Sequence, residues 1–230
     1  MSPAFGSQGA VAGRPPSLVL FTGQEFDRAN IYASGGFKWR PFKPLGEDRF
    51  IVVGAIGGGR WRETRPLALR RESDSWKFAA HLLVGAEFLV AGGSLGVFVG
   101  PEYFQETAVD PIGATLRRER RFGFRIHGDW WSQPTPTMLL TANIAAGTAK
   151  QDVWSRIAFG WRVNPAKELW GYLGPELSLY AAKDSTKVRV GAHWSEFGLG
   201  GFKFRVSAGA LKEDGRRVGP YLTVGGYRGF

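Results

Sequence analysis

The chain has 230 residues, of which 43% are hydrophobic, 14% aromatic and 22% charged, with 33 glycines and no cysteine. That balance excludes a disordered chain. No window holds the roughly 18 consecutive apolar residues of a spanning helix, so a membrane could be crossed only by strands. Without cysteine there is no disulfide framework, zinc–thiolate site or thiol nucleophile. The net charge of +10 favours acidic partners such as anionic lipid or lipopolysaccharide. The basic residues are spread along the chain rather than gathered into a stripe, which argues against nucleic acid.

Met1 to Pro16 is rich in Gly, Ala, Ser and Pro and lacks the charged start and apolar stretch of a secretory signal. It is expected to be a disordered segment, leaving 17–230 as a single domain. From Leu18 onward the period is two. Trp76, Phe78, Ala80, Leu82, Val84, Ala86, Phe88 and Val90 share one face, against Lys77, His81, Gly85 and Glu87 on the other. Leu95 to Gln105 repeats the pattern, as does Phe122 to Trp130, where Arg125, His127 and Asp129 form the polar face. Val153 to Val163 opposes its apolar series to Arg156 and Arg162, and Val188 to Trp194 opposes its own to Arg189 and His193. In Phe202 to Ala210 the opposing residues are Lys203 and Arg205.

About twelve such segments of about 10 to 14 residues outrun soluble strands, which average about five or six, and match tilted membrane-crossing strands. The fold class is therefore all-β, an antiparallel outer-membrane β-barrel of about twelve strands. Short connections such as Lys43 to Asp48, Ala91 to Ser94 and Ser132 to Thr137 alternate with longer ones, Glu63 to Ser75 and Glu106 to Arg118. Short turns in the periplasm and an even strand count place both termini there. Gly-Pro steps at Pro101, Pro175 and Pro220 predict a recurring bulge. The final stretch, Tyr221 to Phe230, ends on an aromatic residue as outer-membrane assembly signals do.

The polar face supplies the candidates for lumen contact. Glu102, Arg125, Asp129, Arg156, Arg162, Glu176 and Arg189 can pair with one another and fill a narrow barrel, or meet a polar ligand. Trp154, Trp170, Tyr172 and Tyr180 share that parity and offer flat rings on which a ligand could stack. Many of the nine tryptophans suit the girdles at membrane interfaces equally well. His193 and Ser195, two apart on one strand, could form the base and nucleophile of a lipid A modifying hydrolase. The bland alternative is a polar lumen face, and the reading adopted is no catalytic residue. Three histidines, well separated and with no carboxylate at a spacing that suits zinc, suggest no metal site, and no cofactor is expected.

Several short motifs follow one another along the chain. They are Phe21-Thr22-Gly23-Gln24-Glu25, Tyr32-Ala33-Ser34-Gly35-Gly36 and Pro44-Leu45-Gly46-Glu47-Asp48 near the start, and Trp131-Ser132-Gln133-Pro134-Thr135-Pro136 in the middle. Gly174-Pro175-Glu176, Arg189-Val190-Gly191-Ala192-His193 and Gly219-Pro220-Tyr221 follow in order. In this order the motifs resemble the cellulose biosynthesis protein BcsS family, and the resemblance implies a non-catalytic outer-membrane protein of a Gram-negative bacterium that acts in export, retention or organisation of cellulose, an exopolysaccharide. Its implied partners are cellulose, components of the synthase and outer-membrane lipid. A soluble lipocalin-like binder is the remaining alternative, and it requires fewer strands and a hydrophobic interior.

Overall fold

The computed structural model describes residues 16–41, 49–63, 73–90, 92–109, 115–164, 170–183 and 185–230. The expected disordered segment up to Pro15 and the connection at Pro44 to Asp48 lie outside them. The first six strands are β1 (Leu18–Asp27), β2 (Asn30–Trp39), β3 (Arg49–Glu63), β4 (Ser73–Val90), β5 (Gly93–Val109) and β6 (Thr115–Thr135). The remainder are β7 (Met138–Gly147), β8 (Asp152–Arg162), β9 (Tyr172–Ala182), β10 (Ser185–Leu199), β11 (Phe202–Glu213) and β12 (Gly219–Gly229). Each pairs antiparallel with its sequence neighbours, and β1 pairs with β12 from Val19↔Gly229 to Asp27↔Tyr221, so the twelve strands close into a barrel. Phe230 completes the seam, its N–H donating to Leu18 at 2.8 Å and its carbonyl accepting from Ser17 at 2.9 Å.

The period of two becomes an inside-out partition. On β7 the side chains of Leu139, Thr141, Asn143 and Ala145 are buried, while Ile144 is exposed. Glu87, Asp129, His127 and Ser207 are buried inside the barrel, whereas Ile56, Val99 and Val190 are more than half exposed outside it. Around a soluble protein so continuous an apolar surface would drive association. In lipid it is the face a strand must present. A lipocalin-like barrel has the opposite polarity, and this polar interior corrects that expectation.

At the end carrying both termini the β10–β11 turn is Gly200-Gly201, where φ values of +60° and +79° require glycine or its equivalents. At the opposite, loop end the rim is uneven. The expected long connection from Glu106 to Arg118 is mostly strand, with pairs Gln105↔Arg120 and Thr107↔Arg118 extending the β5–β6 hairpin. Because β6 pairs with β7 only from Arg125 onward, Thr115 to Phe122 extend past the end of β7, with no strand paired to that edge among the described residues. The Gly-Pro steps are not bulges: His81↔Glu102 and Val84↔Val99 keep one register across Pro101, and Ala192↔Pro175 is itself in register. The glycines before them allow close approach instead, since a Cβ at Gly100 would strike the Leu82 carbonyl and one at Gly174 the Phe159 carbonyl. Register shifts occur between Ser195 and Phe197 and between Ala108 and Val109.

Candidate functional site

The inward positions converge on the lumen, where charged side chains assemble into linked groups. Toward the terminus end, Arg40, just past β2, donates to Glu87 at 2.7 Å, and Lys38 Nζ lies 3.4 Å from Asp129 Oδ2 and 3.8 Å from Glu87. Lys38 also lies 5.2 Å from the centre of the Phe98 ring. Arg125 bridges Glu102 at 3.1 Å and Asp152 at 3.6 Å, and Glu102 accepts the Ala149 N–H at 2.8 Å. Toward the loop end Arg189 pairs with Glu25, and Lys187 lies 3.3 Å from Glu213 and 3.9 Å from Asp27. Glu176 accepts from Arg205 and, at 3.1 Å, from Ser207. Arg156 donates to Asn143 at 2.8 Å.

Most of these links join strands that are not neighbours in the wall. Lys38–Asp129 runs from β2 to β6 and Arg189–Glu25 from β10 to β1, so both are chords across the lumen. Buried charges are tolerated because each has a partner, and removing one partner strands the other. The space left over includes a cavity of about 120 Å³ bounded by Phe21, Tyr32, Trp154, Arg156, Glu176 and Arg189, and a smaller one of about 40 Å³ near His81, Lys77 and Glu102.

All seven charged residues singled out from the sequence face this lumen, and so do Trp154, Tyr172 and Tyr180. The ring faces are already taken by cations of the protein. The Arg156 guanidinium lies 5.8 Å from the Trp154 ring, Arg162 lies 5.2 Å from that of Tyr172, and Lys150 lies 4.7 Å from that of Tyr180. Arg162 also donates to the Tyr172 hydroxyl at 2.7 Å, which accepts from Gln133 as well. In the β7–β8 turn, burial pushes the Lys150 amine down to about 8. Trp170 departs from the expectation: it is exposed outside the lumen, and its carbonyl accepts the Trp194 indole N–H at 2.7 Å. Gly171, at φ +63°, turns the backbone before β9 begins, so parity cannot be carried back across it.

His193 and Ser195 both face inward, 1% and 2% exposed. His193 Nε2 lies 3.2 Å from the Phe159 carbonyl, while His193 Nδ1 and the Ser195 hydroxyl have no hydrogen-bond partner among the described residues. Nothing joins them as base and nucleophile, and a lipid substrate would lie on the other side of the wall. The sequence reading missed Glu25, Asp27, Lys38, Arg40, Asp152 and Glu213 as lumen residues. The same two-residue parity, carried through β1 and β2 and to the strand ends, would have found them.

Against known proteins, the family model of cellulose biosynthesis protein BcsS matches residues 19–229. The chain belongs to the BcsS family. No curated protein matches it. Among solved structures, this BcsS-family barrel is similar to the β domain of the Bordetella autotransporter BrkA, with a TM-score of 0.61, 14% identity, and 94% of this chain and 100% of that one covered. It also matches the translocator domain of the autotransporter NalP from Neisseria meningitidis, with a TM-score of 0.49, 11% identity, and 96% and 90% covered. The KdgM porin follows with a TM-score of 0.48, 9% identity, and 92% and 99% covered. At such identities the likeness to BrkA speaks for the fold alone, a closed barrel of the outer-membrane type.

Proposed function

We propose that this BcsS-family barrel sits in the outer membrane with both termini toward the periplasm and acts without catalysis in cellulose biosynthesis. On this reading it retains or organises the glucan at the cell envelope rather than conducting it through the lumen. The two chords, Lys38 to Asp129 and Arg189 to Glu25, carry the reading. An extended polymer cannot thread the barrel without breaking buried ion pairs, each of which would leave an uncompensated charge. Membrane placement is supported by the apolar belt and by the exposed aromatic residues at both of its edges, Trp39, Trp161 and Phe230 at the terminus end and Trp76 and Phe122 at the loop end.

The glucan and components of the synthase are then its functional partners, with lipid and lipopolysaccharide around the wall. Because the protein's own cations occupy the faces of the lumen rings, Lys150 that of Tyr180 among them, we assign glucan contact to the loop-end rim above them. Deleting the gene in the native host tests the reading. The expected result is cellulose that is still made but poorly attached, together with wild-type protein that forms no large steady pore in planar bilayers. A wide ohmic conductance blocked by cello-oligosaccharides would overturn retention in favour of conduction.

A further inference from the structure

The outer wall of β1 to β6 carries a concavity that the lumen does not explain. One register row crosses it as Thr22, Gly35, Ile56, Ala80, Tyr103 and Phe122. In the next row toward the loop end, Ala33 pairs with Gly58 and Gly58 with Phe78, followed by Gln105 and Arg120. One row further, Arg60 pairs with Trp76, which leads through Thr107 to Arg118. Small residues at Ala33, Gly35, Gly58 and Ala80 thus form a floor, and Ile56, Phe78, Tyr103 and Phe122 form its banks. The result is an apolar groove of about 1050 Å³ on the lipid-facing surface. Phe122, 82% exposed, stands at its edge.

By register, Arg120 and Arg118 follow Phe122 toward the loop end, at the β6 edge of this groove. Arg118 and Arg120 share the outward face of β6 with Phe122 and Phe124, and both are exposed. Among the described residues neither makes an ion pair or a side-chain hydrogen bond. The nearby carboxylate, Glu119, points to the other face, where Arg117 and Arg121 pair with it. Arg60, at the far end of the row, pairs with Asp74. With strands about 4.8 Å apart, Arg60 and Arg118 are separated by about 14 Å across three steps. Two unpaired cations on one face, about 7 Å apart along the strand, suit the oxygens of a phosphate. A neutral glucan would have no use for them, and a free phosphate would have no use for the groove.

We propose that the groove and its arginine lip hold one phosphate-bearing lipid of the outer leaflet, with an acyl chain along Gly35 and Ala80 and the phosphate at Arg118 and Arg120. The site rests on the proposed placement in the outer membrane with the loop end outward, and it is independent of the role in cellulose biosynthesis. The groove can be filled without disturbing the wall: a Cβ at Gly35 would meet its nearest atom, the Phe21 carbonyl oxygen, at 3.5 Å, an ordinary contact.

The test uses the full chain refolded in detergent, with bis-phosphorylated lipid A as probe and native mass spectrometry as readout. Heat-modifiable migration verifies the folding of each variant, and Ala80→Leu replaces Gly35→Leu if the latter fails that check. A single lipid adduct is expected on the wild type. Its affinity should fall about tenfold or more in Arg118→Ser/Arg120→Ser, in Gly35→Leu, and when the probe is dephosphorylated. Ala192→Leu, on the opposite wall, should bind as the wild type does. Undiminished binding by Gly35→Leu would reduce the site to an anion patch and overturn the proposal. Undiminished binding by the arginine variant, or of the dephosphorylated lipid, would overturn it equally.

Discussion

Lys38 on β2 and Asp129 on β6 meet across the lumen at 3.4 Å, both buried, although 91 residues separate them in the chain. Glu87 is the other carboxylate within ion-pair reach of Lys38 and is shared with Arg40, so losing Asp129 leaves Lys38 poorly compensated. Asp129→Ala is expected to cost about 3–5 kcal/mol, the range for breaking a buried pair from one side. Lys38→Met combined with Asp129→Leu should recover most of that loss, because no charge is then stranded. Urea unfolding in detergent, followed by near-UV circular dichroism, reads both outcomes. Equal destabilisation by the single and double substitutions would show that the chord is not an interacting unit.

Gly174 and Gly35 are both strand glycines, yet they should respond oppositely to alanine. At Gly174 a methyl group would strike the Phe159 carbonyl and crowd Gly160, while at Gly35 the nearest atom is 3.5 Å away. Overpacking of this kind costs about 1–3 kcal/mol. Gly174→Ala should therefore lower the temperature of the heat-dependent gel shift, and Gly35→Ala should leave it unchanged. Equal behaviour of the two would mean that β8 and β9 separate readily at the Gly-Pro step.

How much of this was legible in the sequence follows from the same geometry. Inside a strand, parity is enforced by opposite solvents on the two faces of the wall, so Arg125, Asp129, Arg156 and Trp154 could be assigned inward from alternation alone. Trp170 was misassigned because one positive φ at Gly171 resets the count. The full length of β6 was hidden because Arg117 to Arg121 has the composition of a solvated loop, and its strand form depends on pairing with β5. The chords were not legible: Arg189 meets Glu25 over a separation of 164 residues, and alternation places a residue on a face without choosing its partner.

The amine of Lys150 provides a pH signature at the loop end. Burial, with the Phe104 and Tyr180 rings on either side, lowers it from 10.5 to about 8. A lysine depressed in the folded state binds fewer protons there than in the unfolded chain between those two values. Stability should consequently rise as pH increases through that window, and reach its lower plateau below pH about 8, where both states are protonated. Reductive ¹³C-methylation followed by NMR should show a lysine amine titrating near 8, distinct from the α-amine and absent in Lys150→Met. The same variant should flatten the rise of the unfolding midpoint with pH. A Lys150 signal titrating with the exposed lysines would place the amine in water rather than between the rings.

The inside-out partition itself can be read from fluorescence. Trp39, Trp161 and Trp194 face outward at 46%, 51% and 39% exposure, whereas Trp131 and Trp154 face the lumen at 6% and 5%. A quencher carried on the acyl chain of a brominated lipid reaches only the first group, because the wall stands between it and the second. In vesicles of such lipid, Trp161→Phe should remove part of the quenchable emission, while Trp154→Phe should remove only emission that the lipid never quenched. Both substitutions keep an aromatic ring in place, so a change in quenching reports location rather than loss of packing. If Trp154→Phe instead lowers the quenchable fraction as much as Trp161→Phe does, the face bearing the charged chords meets lipid, and retention by a filled barrel loses its physical basis.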